Sequence, residues 1–218
     1  RVGKSTLARQ FAQNEYESYV MIDFSIVKKD ILELFDSIAD LDYFFLQLQF
    51  RLGVSLKERK SLIIFDEVQM CPKARQAIKH LVADGRYDYI ETGSLISIRK
   101  NVKDIVIPSE EEKMVLHPLD YEEFKWALGD TTTIAQMRMI FEKRLSMGDA
   151  VTRKLMRDFR LYMAVGGMPQ AVCEYLETNN LMEVDRVKRG IIQLYEDDFY
   201  RIDQSGRISM LFDAIPAQ

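Results

Sequence analysis

The sequence predicts an α/β fold in which a parallel sheet with flanking helices is followed by a helical, lid-like subdomain. Three observations carry this. Ser61-Leu62-Ile63-Ile64-Phe65 is a compact, branched apolar run that ends in two acids, the pattern of a strand buried on both faces. Strand-like and helix-like segments alternate through the first half of the chain. From Asp120 onward the periodicity is almost wholly helical.

The elements follow in order. Lys4 to Asn14 carries Leu7, Ala8, Phe11 and Ala12 at helical spacing. Tyr19 to Phe24 is a short β-like run, and Asp30 to Phe35 and Asp42 to Leu52 look helical. After the Ser61 strand, Lys73 to Ala83 is amphipathic and Gly85 stops it. Tyr87 to Glu91 is the next strand, and Lys113 to His117 reads as another. Beyond Asp120, helices are expected over Tyr121 to Leu128, Ile134 to Ser146, Val151 to Val165, Pro169 to Glu177 and Val184 to Arg201. Gly129, Gly148, Gly166-Gly167 and Asn179-Asn180 punctuate them. The boundary is expected near residue 119, giving a core over 1–119 and a helical subdomain over 120–218, the latter leading into a further C-terminal part.

Composition narrows the classes. The chain has 218 residues, 47% of them hydrophobic, enough for one medium core or a core with a small appended domain. A net charge of −4 gives no general attraction to polyphosphate backbones and argues against a dedicated nucleic-acid binder. Cys71 and Cys173 lie too far apart in sequence to suggest a zinc site or a disulfide framework, and a reducing, cytoplasmic setting is the simple reading. No apolar run approaches the length needed to span a bilayer.

Gly3-Lys4-Ser5-Thr6, followed by a helix, has the form of the tail of a phosphate-binding loop. Glycine lets the backbone pass close to phosphates, and successive N–H groups point inward at them. Val2, Gly3, Lys4, Ser5 and Thr6 are therefore candidate nucleotide contacts. Lys4 would neutralise the β- and γ-phosphates, and the Ser5 hydroxyl would bind Mg²⁺. The chain opens at Arg1, inside this motif, so upstream residues are expected to supply the first glycine and the strand before it. Without them the fragment is expected to bind nucleotide poorly.

Asp66 and Glu67 stand at the end of the Ser61 strand, about 60 residues after the loop, which leaves room for one more strand and its helices. That edge of an open α/β sheet is where ligands bind. Asp66 can hold the metal or its water, and Glu67 can polarise the attacking water. Thr92-Gly93-Ser94 closes the next strand. A hydroxyl of Thr92 or Ser94 would either sense the γ-phosphate beside Asp66 or simply cap a strand-to-helix turn. The predicted site thus has Glu67 and Lys4 as catalytic residues, Ser5 and Asp66 as metal ligands, and ATP with Mg²⁺ as its ligands.

With these elements placed, the chain resembles a large prokaryotic family of AAA-like ATPases, in which the ATPase module precedes a C-terminal domain with a restriction-endonuclease-like fold and no known function. The matching residues are Arg1-Val2-Gly3-Lys4-Ser5-Thr6, Ile64-Phe65-Asp66-Glu67-Val68-Gln69, Thr92-Gly93-Ser94, Pro118-Leu119-Asp120-Tyr121-Glu122-Glu123-Phe124 and Gly166-Gly167-Met168-Pro169. The first three are generic to ATPases; the acid-to-Gln run and the last two point to this family. The resemblance implies a P-loop NTPase sheet of the additional-strand type. In it the Ile63 strand lies between those at Ile22 and Ile90, and the first strand lies between Ile90 and Val115. It also implies that the endonuclease-like part lies mostly or wholly beyond Gln218.

Other features read as structural. Arg99 and Lys100 could offer an arginine finger but favour solvent, and Arg153, Arg157 and Arg160 form a solvated helix face. His80 and His117 have no partner at metal-ligand spacing. Phe124 and Trp126 read as core, and Met137, Met139 and Met147 as packing. Ser109-Glu110-Glu111-Glu112 reads as a solvated acidic loop, and Glu196-Asp197-Asp198 as an exposed helical run. Three functions compete: an active Mg²⁺-ATPase that drives or gates a conformational change, a nucleotide-dependent switch or scaffold presenting a surface to a protein partner or a second copy, and a DNA-handling ATPase. Glu67 favours the first, and the net acidity disfavours the third.

Overall fold

The computed structural model describes residues 2–36, 38–93 and 111–215. The chain forms two compact units, one of Gly3–Met114 and the other mainly of Val115–Gln218.

The first unit is a mixed α/β body. Its elements run α1 (Lys4–Glu15), β1 (Ser18–Asp23), α2 (Lys29–Leu34), α3 (Leu41–Leu52), β2 (Ser61–Asp66), a 3₁₀ turn over Val68–Met70, α4 (Pro72–Asp84) and β3 (Asp88–Glu91). The three strands are parallel in the order β1-β2-β3, which puts the Ile63 strand between those of Ile22 and Ile90, as the family resemblance implies. All six residues of β2 are buried, because it is the middle strand and both its faces are covered. Ile63 and Phe65 face a core built around Phe24, Phe35, Phe44 and Phe45. The rings of Phe24 and Phe35 each meet Phe65 edge-to-face, with centroids 5.6 and 5.7 Å away. Leu62 and Ile64 face the other side, where Ala8 and Ala12 of α1 pack on them.

Of the apolar set predicted on α1, only the two alanines are buried; Leu7 and Phe11 are exposed. The strand predicted over Lys113 to His117 does not form: residues 111–117 carry no regular secondary structure, and Met114 and Val115 are exposed. A short apolar run makes a strand only where a neighbouring ladder takes up its N–H and C=O groups.

The second unit is helical: α5 (Tyr121–Ala127), α6 (Thr133–Glu142), α7 (Gly148–Val165), α8 (Pro169–Thr178), α9 (Leu181–Ile202) and α10 (Arg207–Asp213). Its core gathers Phe124, Val165, Ala171, Val172 and Val184. A reciprocal capping box starts α5, Asp120 accepting from the Glu123 N–H and Glu123 from the Asp120 N–H. Trp126 is exposed, contrary to its reading as core. It lies two residues from the buried Phe124, about 200° round the helix. Met139 is likewise exposed rather than packed, on a helix that buries none of its residues. The seven-residue α10 was not anticipated.

Candidate functional site

The site lies at the C-terminal ends of the strands, within the first unit. Gly3 takes a left-handed conformation (φ 90°, ψ 15°) that a glycine adopts without steric cost, and there the chain turns into α1. Lys4 and Ser5 are the first residues of α1 and are half-buried, while Thr6 is exposed. Val2, also half-buried, precedes the turn without regular structure. The first N–H groups of a helix have no intrahelical acceptor, so this end of α1 can bind an anion.

Asp66 is the last residue of β2 and opposes Asp23 of β1 in the parallel register. Its side chain is buried, and one carboxylate oxygen, Oδ1, accepts two hydroxyls. Ser5 Oγ donates to it at 2.9 Å, and Thr92 Oγ1 donates to it as well. The backbone fixes both neighbours. The Thr92 N–H donates to the Phe65 carbonyl at 2.9 Å, and the Val68 N–H donates to the Thr92 carbonyl at 3.0 Å. The fold therefore brings Ser5, Asp66 and Thr92 together from three separate elements. Ser94, the fourth candidate hydroxyl, lies outside the described residues, as do Arg99 and Lys100.

Glu67 follows Asp66 in a left-handed conformation (φ 53°, ψ 44°), unusual for a residue with a side chain, and opens the 3₁₀ turn. The Met70 N–H donates to its carbonyl at 2.9 Å. Its carboxylate accepts a hydrogen bond from the side-chain amide of the buried Gln69. That contact was not foreseen, although Gln69 stands in the run that carried the resemblance.

A second contact was missed outright. Arg75 of α4 is buried and its guanidinium pairs with both Glu91, at the end of β3, and Glu111. Glu111, read as part of a solvated loop, is thus an ion-pair partner beside the residue that precedes Thr92. The only sequence signal is Arg75 itself, a charge three residues before Ile78 on the face that α4 buries. Cys71, at the head of the same helix, is no nucleophile candidate: burial pushes its thiol up, keeping it protonated.

Among the described residues, no group of three or more His, Cys, Asp or Glu side chains could hold a metal ion. A paired hydroxyl and carboxylate, both hard oxygen donors, instead suits a Mg²⁺ that completes its shell with phosphate and water. None of the described helices is long and apolar enough to cross a membrane.

A parallel α/β sheet with a glycine-led helix start and an acid at the end of its middle strand has the form of a P-loop-like, AAA-type nucleotide-binding domain. A family model described as an AAA domain matches residues 1–125, more than half of the chain, and the chain belongs to that family. A second family model, described as a domain of unknown function (DUF8612), matches residues 156–218. An AAA-like module is thus followed by a domain whose role the family description does not state. No curated protein and no solved structure matches the chain.

Proposed function

We propose that the protein is a Mg²⁺-dependent ATPase whose turnover drives or gates a conformational change. The observation that carries this is the buried Asp66 carboxylate, which holds the Ser5 hydroxyl of the phosphate-loop helix and the Thr92 hydroxyl at one oxygen. In this reading Gly3 and the first N–H groups of α1 receive the phosphates, with Val2 and Thr6 at the edge of the loop, and Lys4 places its ammonium against the β- and γ-phosphates. Ser5 and Asp66 would hold Mg²⁺, which when bound supplies charge neutralisation at the β- and γ-phosphate oxygens. Thr92, through its hydroxyl, reports on the state of Asp66, and Ser94 is proposed beside it as a nucleotide contact. Glu67 accepts a proton from the attacking water. The water oxygen bonds to the γ-phosphorus, the bond from that phosphorus to the β–γ bridging oxygen breaks, and ADP and phosphate are released. The setting proposed is the cytoplasm, with a protein partner or a second copy receiving the conformational change.

The test is Asp66→Asn in the full-length protein, with ATP affinity measured in Mg²⁺ and in EDTA. The wild type is expected to bind more tightly in Mg²⁺ and the variant to lose that difference. A variant that keeps the full Mg²⁺ enhancement would remove Asp66 from the site.

A further inference from the structure

We infer that Gln69 is a positioning residue for ATP hydrolysis, aiming the Glu67 carboxylate at the attacking water; this rests on the reading of Glu67 given above. A glutamate side chain turns about three bonds, and a base that wanders through its rotamers is seldom in place. Here both ends of Glu67 are held. Its backbone is fixed in the left-handed region by the turn that follows, where the Met70 N–H bonds to the Glu67 carbonyl and the Cys71 N–H bonds to the Val68 carbonyl at 3.0 Å. Its carboxylate is held by the Gln69 amide.

Gln69 is only 7% exposed, so its amide is located by packing rather than by solvent. The same turn is tied to the strand-end residue beside Asp66, because the Val68 N–H between Glu67 and Gln69 bonds to the Thr92 carbonyl. Movement of Thr92 would therefore reach the base through a single peptide unit. The chemistry of the donor matters too. A lysine or arginine here would pair with the carboxylate as an ion and oppose its protonation. A neutral amide orients the carboxylate and leaves it free to take the proton from water.

A merely structural amide would satisfy a half-buried acid and nothing more, so the test separates stability and binding from turnover. Single-turnover rate, ATP affinity and thermal melting are compared for wild type, Gln69→Met, Gln69→Leu, Glu67→Gln and the double variant Glu67→Gln/Gln69→Met. Methionine keeps the length and volume of glutamine without its donor. Gln69→Met is expected to bind ATP as wild type does and to turn over roughly tenfold more slowly, the loss that a misaimed group produces. The double variant is expected to be no slower than Glu67→Gln alone, since the amide acts only through that carboxylate.

The inference is overturned if Gln69→Met and Gln69→Leu turn over at the wild-type rate while Glu67→Gln is slow. It is equally overturned if the Gln69 change slows Glu67→Gln by the same factor as wild type, or if neither Gln69 variant folds. A Glu67→Gln protein of wild-type speed would instead remove the base assignment on which the inference rests.

Discussion

At Asp66 one carboxylate oxygen accepts hydrogen bonds from the hydroxyls of residues 61 positions upstream and 26 positions downstream. A buried carboxylate needs such donors, because an unpaired charge out of water costs several kcal/mol. In the proposed function a phosphate-bound metal and its sensor would use the same two hydroxyls that satisfy Asp66, and the resting hydrogen bonds would then preorganise the site. In the proposed site Lys4 would be the residue on which the phosphates depend for charge. A hydrogen bond between charged groups contributes about 1.5–3 kcal/mol, and an ammonium offers three donors. Lys4→Ala is therefore expected to abolish ATP binding, as read by titration with a fluorescent ATP analogue; unchanged affinity would remove Lys4 from the site.

Among the elements, β2 was the most legible, because a middle strand needs apolar residues on both faces and Leu62 to Phe65 supply them without alternation. The run from Lys113 to His117 misled for the converse reason: its local pattern is strand-like, but strand formation depends on a neighbour that the pattern does not specify. In the helical unit, Gly166-Gly167 read as punctuation and as part of a family run, and Gly167 also marks a close backbone approach. The Leu119 N–H donates to the Gly167 carbonyl at 2.7 Å, and Tyr162 donates its hydroxyl to the Leu119 carbonyl at 2.9 Å. A Cβ on Gly167 would overlap that carbonyl oxygen. Gly167→Ala should destabilise this unit by about 1–3 kcal/mol, seen as a lower urea midpoint; an unchanged midpoint would mean that the contact relaxes freely.

A second prediction at this scale concerns acid. Asp130 accepts from the Thr133 hydroxyl and N–H, from Lys125 and from the Thr132 N–H, which together hold its carboxyl far below the usual range. Burial pulls the Lys125 ammonium down, but the bonds to Asp130 and Asp158 outweigh it and leave it raised. A depressed carboxyl stabilises the fold above its ordinary value of 3.8 and loses that contribution as pH falls toward its folded value. The raised lysine contributes below its ordinary 10.5 and loses its share as pH climbs through the folded value. The stability of wild type should therefore fall below about pH 4 more steeply than that of Asp130→Asn, as followed by urea denaturation across pH. Parallel curves would show that Asp130 gains nothing from folding.

Over the whole molecule, an AAA domain carries the candidate site and a domain of unknown function follows it. The candidate site was legible in part because phosphate chemistry asks for certain residue types at short spacing, from Gly3 to Ser5 and from Asp66 to Glu67, and of these Ser5 and Asp66 do meet. The Arg75–Glu91–Glu111 cluster was not, since Arg75 shows only as a charge on an apolar helix face and nothing in the pattern names its two partners until the chain folds. In the proposed mechanism Asp66 and Glu67 divide the labour, one on the metal side and one on the water side. The most direct test is single-turnover ATP hydrolysis by Glu67→Gln in the full-length protein, with ATP binding measured on the same sample. A general base contributes about 10²–10⁴-fold, so Glu67→Gln is expected to bind ATP with wild-type affinity and to hydrolyse it at least about 100-fold more slowly. Hydrolysis at the wild-type rate would contradict that division and require another residue to take the proton.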